Sequence, residues 1–284
     1  MKVKDFSLEQ TLECGQCFNF ERLEDDSYVV IAFGKALHVK QEKNELLFLN
    51  ASDQDIEKIW IPYFDLDNDY GKIKRSIIKA DNNLKPIIDE YYGIHILKQD
   101  FVETLISFII SQNKNITNIK QIVRRICENY GKKAGIIEGK QFYAFPSLKA
   151  LNGITEQDFR DLRTGFRAPY LRDAVDKLIS KDIVENKLSK KSYEQAKEKL
   201  ITIKGVGDKV ANCVLLFGLG FTNAFPVDVW IKRIMEDLYF HEDTNKEIIE
   251  AFGKEKFGNY GGFAQQYLFI YAQNKSKKAL QNMK

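Results

Sequence analysis

Along the first fifty residues short apolar runs alternate with turn signals, and the pattern predicts strands at Cys17 to Arg22, Tyr28 to Phe33, Ala36 to Gln41 and Leu46 to Leu49. Glu24-Asp25-Asp26, Gly34-Lys35 and Lys43-Asn44 separate them with residue types that favour reverse turns, giving an antiparallel sheet. From Ser52 onward the apolar positions recur at helical spacing almost without a break. Helix starts are expected at Ser52, Asp100, Thr117, Ser147, Thr155, Ser192, Asp208 and Asp228. No low-complexity linker divides the helical part. The expected fold class is α+β: a small antiparallel β-sheet domain with helices over residues 1–91, packed on a mostly α-helical body over residues 92–284.

A chain of 284 residues can bury a sizeable core. Its 43 basic and 40 acidic residues leave a net charge of only +3, so a nucleic-acid site would have to be a local patch. Lys190, Lys191, Lys197, Lys199, Lys204 and Lys209 supply one candidate, although Glu194 and Glu198 interleave with them as on a solvated helix face. Lys275, Lys277, Lys278 and Lys284 form a second basic stretch at the C-terminal end, solvent-facing or grazing phosphates. Cys14 and Cys17 have the spacing of half a zinc site, but Cys127 and Cys213 provide no second pair, so no metal and no cofactor are expected. The start MKVKDFSLEQ is polar and no apolar run approaches 18 residues. These features point to a cytoplasmic protein with reduced thiols and no membrane partner.

The densest chemistry lies in residues 192–240. Gly205-Val206-Gly207 sets two glycines one residue apart, which permits positive φ and close approach of another group to the backbone. Upstream, Ser192 and Gln195 have capping-box spacing ahead of a helix to Leu200. Downstream, Asp208 to Leu219 reads as an apolar helix whose free N–H groups and positive dipole end point at the turn, an arrangement that suits a phosphate. An ordinary glycine turn between packed helices has the same local pattern. Lys209, Cys213 and Phe217 share one face of the second helix, which fits either a functional lysine or one whose stem covers core. Asp228 precedes a further expected helix, Val229 to Tyr239, and is placed to cap it.

With IKGVGDKVA, the following GLGFTNAFPVD resembles the helix-hairpin-helix, Gly-Pro-Asp superfamily of DNA base-excision glycosylases, through Gly205, Val206, Gly207, Lys209, Gly220, Pro226 and Asp228. CGQCFNF at Cys14 to Phe20, FIISQNKNI at Phe108 to Ile116 and GGFAQQYLF at Gly261 to Phe269 narrow the resemblance to its 8-oxoguanine DNA glycosylase branch. The match in order and spacing runs over roughly residues 5 to 275. The four-cysteine iron–sulfur loop of some relatives is absent, since no cysteine follows Cys213.

The resemblance implies an active site in a cleft between two helical subdomains, and a bifunctional glycosylase and AP lyase acting as a monomer on duplex DNA that contains 8-oxoguanine. Lys209 would be the nucleophile, forming a Schiff base that permits β-elimination, and Asp228 would stabilise the charge that develops on the sugar. The base would be flipped into a pocket. There the carbonyl of Gly15 would accept the N7–H that distinguishes the lesion from guanine, with Pro226 beside the site. Cys213 and Phe269 would sandwich the base and Gln265 would read its Watson–Crick edge; Phe269 also suits plain core. The resemblance gives Asn113 the space left by the base, Arg167 the orphaned partner base, and the Gly205-Val206-Gly207 turn the DNA backbone.

Three positions depart from the more familiar pattern. Asn118 stands where an arginine reads the opposing base, Phe166 where a tyrosine wedges into the stack, and Trp230 where a histidine contacts phosphate. Losing one of two guanidinium contacts implies relaxed opposite-base preference. A glycosylase for another oxidised or alkylated base, or a non-catalytic hairpin module gripping phosphates, are the competing readings.

Overall fold

The computed structural model describes residues 1–281, with side chains through residue 276; Lys277, Lys278 and Lys284 of the C-terminal basic stretch lie outside the described side chains. Strands β1 (Phe20–Arg22), β2 (Tyr28–Ala32), β3 (Lys35–Glu42) and β4 (Glu45–Phe48) form an antiparallel meander in sequence order. Tyr28 pairs with Val39 and Ile31 with Ala36 across β2 and β3.

Every residue of β2 is buried, because both faces of the sheet are covered. Tyr28, Val30 and Ala32 pack with Leu37, Val39 and Leu46 against Trp60 and Phe64. Val29 and Ile31 face the other way, onto Ile137 and Phe142. Those two belong to a second hairpin, β5 (Lys133–Ile137) and β6 (Lys140–Tyr143), which interrupts the helical region expected after Ser52. Its turn residues Glu138 and Gly139 take φ of 49° and 75°, the twist that a two-residue hairpin requires. Burying Ile137 and Phe142 against the sheet contributes roughly 1.5–3 kcal/mol each, which outweighs any helical tendency of this short stretch.

Other expectations also need correction. Leu8–Glu13 is a helix, capped by the Ser7 side chain on the Gln10 amide, where the first fifty residues suggested strands alone. The first strand begins at Phe20 and not at Cys17, because Cys14 to Phe18 form a loop held by buried side-chain bonds. The helix expected from Thr117 starts at Ile116, with Asn115 as its cap. The caps at Ser52, Asp100, Ser147, Thr155, Ser192 and Asp228 are as expected, because each depends on a hydrogen bond within three residues of sequence.

The helical body shares one apolar core that reaches from Tyr70 to Ala272 and takes in Cys14 and Phe18 of the N-terminal loop. At its centre the Asp208–Leu219 helix packs on Phe101–Ile110, where Phe108 and Phe217 stack with centroids 5.5 Å apart. Among the described residues no helix is long and apolar enough to cross a membrane.

Candidate active site

A cleft of about 950 Å³ opens where the Gly15 loop, the Asn113 loop, the Gly205-Gly207 turn and the C-terminal helix converge. Gly15, Asn113, Gly205, Gly207, Lys209, Asp228 and Phe269 all line it. Cys213, Pro226, Gln265 and Val206 are buried behind that surface, and the Arg167 guanidinium is buried on the carbonyl of Gln112, which lines it.

The loop that carries Gly15 is built on Gln16, which is fully buried. Its amide donates to the carbonyls of Thr11 at 2.8 Å and His95 at 2.7 Å, while its oxygen accepts from the Leu97 N–H at 2.9 Å. A second tether runs from the Gln266 amide to the Cys14 carbonyl, at 2.8 Å. Between these anchors Gly15 takes φ of +80°, and a Cβ there would lie 3.1 Å from Phe269 Cε1 and 3.3 Å from Ile116 Cδ1. The positive φ favours glycine, and a Cβ would in addition press on both side chains. Among the described residues nothing donates to the Gly15 carbonyl. Burial pushes the neighbouring Cys14 thiol up to about 12, so it is inert packing and not a reactive group.

The lysine is positioned by the hairpin. Ser192 and Gln195 form a capping box at the start of Tyr193–Ile201, and Gly205 at φ +76° turns the chain so closely over the Tyr170 ring that any Cβ would overlap it. The Lys204 N–H donates to Asp173 at 2.7 Å, and the Lys177 ammonium bonds the Thr202 carbonyl, so the turn is fastened to the helix beneath it. Buried Ile203 and Val206 close the hairpin from inside.

Lys209 Nζ then donates to Ser111 Oγ at 3.3 Å and lies 5.1 Å from the centroid of the Phe108 ring. Among the described residues it makes no ion pair. The hydroxyl, the ring face and the Cys213 thiol are thus its neighbours, with no carboxylate paired to it among the described residues. Cys213, one turn further on and 3% exposed, has its thiol pushed up to about 11 by burial, opposed by Lys209.

Asp228 caps the Val229–Met235 helix, accepting from the amides of Trp230 and Ile231 at 2.9 Å each through one oxygen. Asp228 and Lys209 line the same cleft. The first turn of the lysine helix is fixed by a buried polar network. Glu250 accepts from Tyr193 at 2.8 Å, Lys197 at 2.7 Å and Asn212 at 2.9 Å, and Lys197 also pairs with Asp208 at 2.8 Å.

Gln265 Nε2 donates to the Pro226 carbonyl at 3.1 Å, while its Oε1 is buried without a partner among the described residues. Arg167, 2% exposed, bonds the carbonyls of Gln112 and Thr164 and lies 4.2 Å over the Phe166 ring. Asn113 is exposed at φ +50°, and Asn118 is exposed on the outer face of its helix. Trp230 is half-buried in the cleft wall, with Arg233 over its ring at 5.5 Å.

Sequence reasoning did not single out Ser111, Phe108, Gln16 or Gln266. All four lie inside motifs it did identify, but their partners are 79 or more residues away in sequence, so local spacing carries no trace of the contact.

The 8-oxoguanine DNA glycosylase N-terminal domain family matches residues 1–105, and the HhH-GPD superfamily of base excision DNA repair proteins matches residues 106–258. A probable N-glycosylase/DNA lyase of Methanothermobacter thermautotrophicus is 31% identical over 77% of this chain and 74% of its own length. An N-glycosylase/DNA lyase of Arabidopsis thaliana is 33% identical over 83% of this chain and 63% of its own length. The Clostridium acetobutylicum 8-oxoguanine glycosylase/lyase, solved with duplex DNA containing cytosine opposite 8-oxoG, superposes with a TM-score of 0.93 at 40% identity, covering 96% of this chain and 94% of that one. The chain belongs to the helix-hairpin-helix Gly-Pro-Asp superfamily of base-excision DNA repair proteins, with the N-terminal domain of its 8-oxoguanine DNA glycosylase branch.

Proposed function

We propose that the chain is a bifunctional DNA glycosylase and AP lyase that excises 8-oxoguanine from duplex DNA, acting as a cytoplasmic monomer, nucleoid-associated if prokaryotic, without a cofactor. The observation that carries this reading is the Lys209 amine in the cleft, free of any carboxylate partner among the described residues and accompanied by Asp228.

The flipped nucleotide enters the cleft with its sugar at Lys209. Nζ, once neutral, attacks the anomeric carbon, and the bond to the base breaks with its electron pair leaving on the base. Asp228 stabilises the positive charge that builds on the sugar as this bond lengthens. Nζ gives up one proton and the C1′–O4′ bond opens with a proton going to O4′, leaving a protonated imine; with that imine as electron sink, a proton is removed from C2′ and the 3′ phosphate leaves by β-elimination.

Recognition rests on the Gly15 carbonyl, an acceptor with no donor among the described residues. The N7–H of 8-oxoguanine satisfies it, whereas guanine presents an acceptor at N7 and leaves two buried acceptors facing each other. Phe269 lies against Gly15 in this conformation, so the arriving base displaces its ring and stacks between it and Cys213. The partnerless Gln265 Oε1 would accept from the donor groups on the base's Watson–Crick edge, and Pro226 is its backbone anchor. Asn113 fills the gap in the stack, Gly205, Val206 and Gly207 hold backbone phosphate, and Arg167, buried on the Gln112 and Thr164 carbonyls in this conformation, must turn outward to reach the orphaned base.

The test is incubation of matched duplexes, one carrying 8-oxoguanine and one 3-methyladenine, with quantitation of released base and of strand nicking. Release of 8-oxoguanine with nicking is the expected result. Release of 3-methyladenine alone would assign a different lesion, and DNA binding without release of either base would leave only a binding module.

A further inference from the structure

A second cavity, of about 420 Å³, lies between the N-terminal sheet, the β5–β6 hairpin and the Ile116–Tyr130 helix. It shares only Phe18 and Thr117 with the lining of the catalytic cleft. Its size falls in the range of small-molecule pockets, which run from about 300 to 1,000 Å³.

The walls are aromatic, with Phe20, Phe142 and Tyr143 exposed to the interior, and the polar rim is mainly cationic. Three of the four rim cations are already neutralised, Arg22 by Glu9, Glu13 and Asp26. Lys140 holds both oxygens of Glu21, at 2.5 and 2.6 Å, and Arg124 bonds Glu128 at 2.8 Å. Lys120 differs: among the described residues it enters no ion pair, and its Nζ sits 3.5 Å from the centroid of the Phe20 ring. It is half-buried, and loss of water there disfavours its charged form. Glu13 and Glu21 act on it only at longer range, and a partly desolvated ammonium beside a π face, without a paired anion, is an incomplete electrostatic site.

We propose that this cavity binds a free mononucleotide, or a small aromatic anion of the same kind, with its ring against Phe142 and Tyr143 and its phosphate on Lys120, which Phe20 supports from beneath. The combination of a flat apolar wall and one uncompensated cation matches a planar ring that carries an anionic group. A nucleotide of the DNA in the neighbouring cleft has the same chemistry, so the test separates the two sources.

Guanosine 5′-monophosphate is titrated calorimetrically into the full chain as wild type, Lys120→Ala, Lys120→Gln and Lys209→Gln, with melting temperatures checked in parallel. Wild type and Lys209→Gln should bind alike, while both Lys120 variants bind about tenfold more weakly, the worth of one charge-assisted contact. Cleavage of an 8-oxoguanine duplex and affinity for it should be unchanged by the Lys120 substitutions. The proposal is overturned if wild type gives no binding at millimolar nucleotide, or if Lys209→Gln alone loses it, which would put the nucleotide in the cleft. It is also overturned if the Lys120 variants lose duplex affinity and not nucleotide affinity, which would make Lys120 a DNA contact.

Discussion

The Gln266 side-chain amide donates to the Cys14 carbonyl across 2.8 Å, joining residues 252 positions apart and fastening the loop of Gly15 to the helix of Phe269. The backbones on the two sides of the pocket are therefore tied together, with a left-handed glycine between them. Gly15→Ala adds a methyl group 3.1 Å from the Phe269 ring and strains a φ of +80° by about 1–2 kcal/mol. Excision of 8-oxoguanine should fall by about tenfold or more, while nicking of a preformed abasic site, which presents no base to the pocket, stays near wild type. Single-turnover assays on the two substrates check this split.

Asp228 has a capping role and a proposed catalytic one, and the two separate in Asp228→Asn. The amide oxygen still accepts from Trp230 and Ile231, so stability should change by less than about 1 kcal/mol. Loss of the negative charge should slow excision by about a hundredfold. A folded Asp228→Asn protein with wild-type excision would make the aspartate a cap only.

Opposite-base selectivity should be weak. Asn118 is exposed and neutral where a second guanidinium is expected, and Phe166 offers a ring without a hydroxyl. Arg167 remains, stacked on that ring. Cleavage rates with cytosine, adenine, guanine or thymine opposite the lesion should lie within about tenfold of each other, since one missing contact is worth about 1–1.5 kcal/mol. A preference for cytosine well beyond that would show that another residue reads the partner base.

His95 makes stability depend on pH. Burial holds its ring neutral, with the pKa lowered from 6.5 to about 4, while the facing carbonyls of Phe64 and Asp5 act in the opposite sense. Between those values the unfolded chain binds a proton that the folded one refuses, so stability is full above the unfolded pKa and falls as pH drops toward 4. The loss is at most about 3 kcal/mol. The Glu103 carboxyl, pushed up to about 8 by burial, acts in the opposite sense over the same range, so the His95 contribution is read as a difference: the change in urea midpoint from neutral to mildly acidic pH should be more negative in wild type than in His95→Gln.

What the sequence reveals divides along the range of the interactions. The hairpin, the capping box at Ser192 and Gln195, and the Asp228 cap are local, and each was readable from a few neighbouring residues. The β5–β6 hairpin was not, although Glu138-Gly139 is a turn signal, because its strands are stabilised by Val29 and Ile31 of a distant sheet. The Leu8–Glu13 helix is too short to show a clear period. Gly15 and Lys209 could be named in advance, but the Gln16 hub and the Ser111 contact arise only when distant segments pack.

The most direct test of the central claim is borohydride trapping on a duplex with one 8-oxoguanine, comparing wild type with Lys209→Gln. A covalent protein–DNA adduct in wild type alone, together with base release, is the expected result and makes Lys209 the Schiff-base nucleophile. An equal adduct in Lys209→Gln, or none in a wild-type protein that binds the duplex, would contradict it.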